Sequence, residues 1–228
     1  MFRSIVSTNF DAVALLRYGR FDESAFLLRT ALAAIQQAGV HPMIPTPMSE
    51  GQSSGQVLSV SLEDCDKAVS YTYLSCFEVF NRAFILEDAE SISDSEETFS
   101  LFASVCLYNM ALAMHMKGLT QGCVGNVRKA VGLYQKVFSI LSTLNPSPTH
   151  SSSSLLLATA MNIICCEAEI QGPAATKEWR DVFCDLFDWA TQTEQQVAAI
   201  YNNPEESTMF STCAVMYCKQ TFSAAPAA

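Results

Sequence analysis

The side chains best able to do chemistry in this sequence are its three histidines and nine cysteines, and their spacing argues against a catalytic or metal centre. His41, His115 and His150 stand apart, with no HExxH pair to set two imidazoles on one helical face. His115 lies between Met114 and Met116, a setting for a packed or groove-facing imidazole rather than a ligand. Cys165 and Cys166 are neighbours; on a helix they diverge by about 100°, so holding a metal would need further ligands from elsewhere. The cysteine count is odd, CxxC is absent, and Cys106, Cys165, Cys166 and Cys184 fall within apolar helical patterns. This reads as free, packed thiols in a reducing compartment. The glycines of GCVGN, starting at Gly122, lack the Lys and Thr of a phosphate cradle, and no dinucleotide-binding GxGxxG occurs. The expectation is no enzyme, no metal and no cofactor.

Composition narrows the partners. Hydrophobic residues make up 50% and charged residues 16% of the 228 positions, against about 25% charged in an ordinary domain. Such a chain needs thick internal packing or an apolar face that something covers. The formal net charge of -10 repels phosphate backbones and anionic lipid, so neither nucleic acid nor membrane is expected as a partner. Asp11 interrupts the N-terminus before a signal-like core forms, and the apolar run 155–166 is broken by Thr159 and Asn162 and is short for a bilayer. These features predict a soluble, cytoplasmic protein and do not exclude the nucleus.

The elements that must position these residues are read from periodicity. Residues 1–40 form a first helical hairpin, turning at Gly19, with Asp22 placed to cap the second helix and Gly39 to end it. Residues 41–96 are an insertion: a Pro-, Gly- and Ser-rich surface loop to residue 62, an extended segment over 75–85, and an acidic connector over 87–97. In that connector Ser91, Ser93 and Ser95 sit among carboxylates, a context for acid-directed kinases as well as for plain helix capping. Residues 97–145 form a second hairpin whose first helix ends at Gly118. Residues 146–154 read as a linker, and 155–200 as a third hairpin turning at Gly172 and Pro173. Residues 205–228 read as a β-like segment and a flexible tail, and 209–218 is the expected partner of 75–85 in a small two-stranded sheet.

In the first hairpin Ala12, Leu15, Gly19, Phe21, Ser24, Leu28 and Ala31 stand in a small, large, Gly, aromatic, small, large, small order. Ala111, Met114, Gly118, Ala130, Tyr134 and Val137 repeat it, and Asn162, Ile163, Ala175 and Trp179 repeat it loosely. This order resembles the tetratricopeptide repeat (TPR) family, in a divergent form with insertions. The resemblance implies an all-α fold of antiparallel helical hairpins, here with a minor β element, and a non-catalytic scaffold that binds a protein or peptide segment on its concave face. The residues it puts there are Asn9, Val13, Arg17, Asn109, Leu112, Met116 and Asn162, followed by Cys165 and Glu169. Val13, Leu112 and Met116 would supply apolar area, while Asn9, Asn109 and Asn162 would hold the partner's backbone, since an amide both donates and accepts. The insertion or a second copy could fill the same face instead, so self-association is compatible with this reading. From another class, an enzyme accessory or small-molecule-binding helical domain would need an apolar pocket lined by Met114, Phe138 and Trp179.

Overall fold

Helical hairpins ending in glycine turns build most of the chain. The computed structural model describes residues 2–39, 57–62, 79–86, 96–144, 150–192 and 203–222. In chain order these hold α1 (Phe2–Arg17), α2 (Phe21–Gly39), β1 (Val57–Ser61), β2 (Arg82–Leu86), α3 (Glu96–Gln121), α4 (Val124–Leu144), α5 (His150–Gln171), a 3₁₀ turn (Pro173–Thr176), α6 (Lys177–Ala190) and α7 (Pro204–Phe222). The fold is thus all-α with a small two-stranded antiparallel sheet. Each helix packs on the next, and α1, α3 and α5 also touch in sequence, so these three line one side of the array.

Two of the turns share one construction. After α1 the Arg20 N–H donates to the Leu15 carbonyl at 2.9 Å, and after α3 the Cys123 N–H donates to the Gly118 carbonyl at 2.8 Å. Both close the helix over a residue of positive φ, Gly19 (69°) and Gly122 (60°). The turn of the second hairpin therefore belongs to Gly122, and the expectation that α3 stops at Gly118 is corrected. Gly118 lies inside the helix because α4 crosses there. A Cβ on it would stand 2.6 Å from Val127 Cγ2, 3.0 Å from the Val127 nitrogen and 3.2 Å from the Cys123 carbonyl oxygen.

The sheet corrects three further expectations. β2 overlaps the end of the region read as extended, of which 75–78 lie outside the described residues, but its partner is β1, paired from Val57↔Leu86 to Ser61↔Arg82. Residues 57–61, expected in a surface loop, are therefore strand, while 40–56 lie outside the described residues. The expected partner 209–218 is instead the middle of helix α7, so 205–222 is not β-like. Residues 150–154, read as linker, open α5, where Ser152 and Ser153 are buried. The remainder of the acidic connector with its serines, and residues 193–202 of the third hairpin, lie outside the described residues. Asp22 does not cap α2; its carboxylate receives Lys117 Nζ at 2.6 and 2.8 Å, tying α2 to α3.

Helices α3 and α5 are apolar on all sides. By length and composition alone they could cross a membrane, but 61% and 72% of the stretches concerned are buried inside the fold, the pattern of core helices. Fully buried Phe102, Tyr108, Leu112, Leu155 and Ile164 come from them.

The crossing at Gly118 gives a test with a sign. Gly118→Ala should destabilise by about 1–3 kcal/mol, because the new methyl meets the stiff β-branched side chain of Val127 and, close behind it, backbone atoms that cannot swing away. Gly132→Ala, in α4 with nothing within 4 Å of the added carbon, should stabilise by up to about 1 kcal/mol through helix propensity alone. Chemical denaturation of both variants checks the contrast.

Candidate functional site: an asparagine ladder over an internal strand

The side of the array lined by α1, α3 and α5 is occupied by the chain's own segment 79–86. Phe80, Ala83, Phe84 and Leu86 are buried, and β2 packs on α1 and α3. An extended segment has backbone polar groups along both edges, and burial requires partners for each. One edge of this segment is served by β1: the Leu62 N–H donates to the Asn81 carbonyl at 3.2 Å, next to the β1–β2 ladder. The other edge meets asparagines.

Three rungs, one from each lining helix, make this contact. From α3, Asn109 accepts the Phe84 N–H at 2.9 Å through Oδ1 and donates Nδ2 to the Phe84 carbonyl at 2.6 Å. From α5, Asn162 accepts the Phe80 N–H at 2.9 Å. Its Nδ2 donates to Tyr108 Oη at 2.9 Å and Tyr134 Oη at 3.1 Å, and more loosely to the Phe80 carbonyl at 3.3 Å. From α1, Asn9 accepts the Leu86 N–H at 3.3 Å, but its Nδ2 is buried without a partner. An amide side chain suits this task because it offers one acceptor and one donor side by side, matching the N–H and C=O of a single residue.

Aromatic rings fill the space around the rungs. Phe80 stacks on Phe210 of α7 with centroids 5.2 Å apart, Phe84 meets Tyr108 edge-on at 5.0 Å, and Tyr108 tilts against Tyr134 at 5.4 Å. Burial holds both tyrosine hydroxyls well above their usual titration range, so they act as neutral hydrogen-bonding groups. His115 lies beyond Tyr134, ring edge to face at 6.2 Å. It is fully buried with neither ring nitrogen partnered, and burial lowers its pKa to about 4.

One charged cluster anchors the segment. Arg82 reaches Glu205 Oε2 at 2.6 Å, Glu206 Oε1 at 3.6 Å and Ser59 Oγ at 2.9 Å. Ser59 Oγ also bonds Glu206, and Asn203 donates to Glu206 Oε1 at 2.9 Å while its own Oδ1 accepts the Glu205 and Glu206 N–H groups. Burial raises the Glu206 pKa despite the guanidinium beside it. Sequence reasoning missed Arg82, Glu205 and Glu206. The signal was there in Asn203–Pro204–Glu205–Glu206, a cap, a first-turn proline and two first-turn acids, which together announce a helix.

The expected partner-binding residues therefore need correction as a group. Asn9, Asn109 and Asn162 come together on segment 79–86, and Val13, Leu112 and Met116 are buried in the core, so none of the six lines an open face. Arg17 stands exposed at the end of α1, and Glu169 is exposed on α5, so neither joins them. In the proposed small-molecule pocket, Phe138 and Trp179 pack edge to face at 5.1 Å. A cavity of about 460 Å³ lies elsewhere, open to solvent along α7 between Pro204 and Met216. Cys106, Cys165, Cys166 and Cys213 are buried and in no disulfide, the first two pushed up to about 12 by burial. Among the described residues no three His, Cys, Asp or Glu side chains gather as metal ligands would.

Two measurements follow. Asn162→Ala orphans the buried N–H of Phe80 and two tyrosine contacts, and should cost about 3 kcal/mol or more; Asn9→Ala removes one long bond and an unpartnered amide, and should cost about 1 kcal/mol. Equal losses in denaturant titrations would contradict the ladder. His115 titrates near 6.5 when unfolded and at about 4 in the fold, so its contribution is complete above pH ~6.5 and lost as the pH falls through ~4, roughly 3 kcal/mol in all. A folded His115→Leu variant should lose correspondingly less stability than the parent over that range. No protein-family model matches the sequence, and neither a curated protein nor a solved structure is significantly similar to it.

Proposed function

We propose that this chain is a non-catalytic, TPR-like interaction scaffold whose asparagine-lined groove receives an extended protein segment by its backbone. The observation that carries the reading is the paired grip of Asn109 on the N–H and C=O of Phe84, repeated by Asn162 on Phe80. A grip on the backbone is indifferent to side chains, so the rungs suit any segment whose apolar residues fit the pockets now holding Phe80 and Phe84. In the free chain segment 79–86 is the occupant, and a partner's segment would take its place. The rungs carry no charge, and the net charge of -10 favours a protein partner over nucleic acid.

A tethered occupant acts at an effective concentration of about millimolar, which shields the groove from free peptide. Arg82→Glu turns the anchor into a repulsion against Glu205 and Glu206 without opening a cavity, and should loosen the resident segment. A labelled peptide with the sequence of residues 79–87 is then expected to bind the variant at least about tenfold more tightly than the parent. Adding Asn109→Leu should abolish the gain. A folded Arg82→Glu protein that takes up no peptide would mean that the segment is a fixed strap and the groove no binding site.

A further inference from the structure

The rungs that hold segment 79–86 are neutral, but one corner of the groove is acidic and belongs to its walls rather than to the occupant. Glu206 stands in the first turn of α7 with its side chain only 7% exposed. Asn203 holds it there, donating to Oε1 at 2.9 Å while its own Oδ1 caps the helix start. Glu205 lies beside it at the solvent edge, and Ser59 of β1 closes the third side. Into this corner the resident segment places one guanidinium. Arg82 Nη1 meets Glu205 Oε2 at 2.6 Å, Nε meets Ser59 Oγ at 2.9 Å and Glu206 Oε1 at 3.6 Å, and Nη2 reaches the Ser59 carbonyl at 3.5 Å. All the nitrogens of one planar fork are engaged at once, which an ammonium on a flexible stem cannot match. Arg82 is midway between Phe80 and Phe84, the residues gripped by Asn162 and Asn109.

We propose that the groove selects its occupant by an arginine: the partner's segment carries arginine midway between two apolar residues four positions apart, and Glu205, Glu206 and Ser59 are the residues that read it. This rests on the reading of the groove as a site for an extended protein segment, and it adds which kind of segment enters. The backbone rungs accept any sequence, whereas the acidic corner does not. An occupant without a cation leaves Glu206 a buried carboxylate with no ion partner, or obliges it to take up a proton, and either outcome weakens binding. The net charge of -10 acts in the same direction, drawing basic segments from solution.

The test titrates the loosened Arg82→Glu protein with labelled peptides that have the sequence of residues 79–87, one unchanged and the others carrying Arg82→Lys, Arg82→Gln or Arg82→Glu. The unchanged peptide should bind most tightly, the lysine peptide about threefold more weakly, the glutamine peptide at least about tenfold more weakly and the glutamate peptide not measurably. Adding Glu206→Gln to the protein should bring the unchanged and glutamine peptides to within about threefold of each other, because the remaining pair with exposed Glu205 is weak. The same series on an Arg82→Gln protein, which removes the anchor instead of reversing it, covers the case of an Arg82→Glu chain that does not fold. A lysine or glutamine peptide that matches the unchanged one, or a preference that survives Glu206→Gln, overturns the arginine requirement and leaves the groove standing. Binding by none of the peptides overturns the groove itself, and the proposal with it.

Discussion

A strand buried among helices faces a constraint that neither a surface loop nor an ordinary sheet meets: both rows of its backbone groups must find partners inside the protein. Segment 79–86 satisfies one row with β1 and the other with amide side chains from α1, α3 and α5. The consequences reach across the fold. The three helices must present asparagines at matching heights, the rings of Phe80 and Phe84 must have space between the rungs, and α7 must lie close enough to stack Phe210 on Phe80. The segment thereby joins residues from both ends of the chain, which the hairpins alone link only through nearest neighbours.

The chemistry inside this assembly is neutral by construction. The rungs are amides, the tyrosines stay protonated, and His115 stays unprotonated because a charge there would be stranded without water or partner. The one charged group of the segment, Arg82, sits at the margin, where Glu205 remains solvent-exposed and Glu206 is buried. Breaking a buried pair by removing one partner costs more than the pair is worth as a source of stability. Its value here is better placed in fixing the register of β2 against α7, since only Arg82 on that segment can answer two carboxylates.

Much of the helical framework was legible, because amphipathic spacing and turn glycines are local signals: the Gly19 turn, the helix around Ala111 and the helix that follows Gly172 and Pro173 all lie where periodicity puts them. The errors arose where local signals competed. Residues 209–218 hold Phe210, Thr212, Val215 and Tyr217, whose weak β preference competes with the helix start at Asn203–Pro204. The flanking prolines, glycines and serines masked the apolar alternation of β1. The amides of Asn9, Asn109 and Asn162 have the chemistry to hold extended backbone, and they do hold it. Which backbone they hold was beyond local reading, since Asn162 and Phe80 are 82 residues apart and no spacing rule joins them.

Amide hydrogen exchange at Phe80 and Phe84 tests the central claim most directly, because their N–H groups point at asparagine oxygens and at no other part of a regular ladder. If the segment is clamped in the groove, both amides should exchange only as fast as the core amides of α3 and α5, through global unfolding. Rapid exchange at Phe80 and Phe84 while α3 and α5 remain protected would contradict the account.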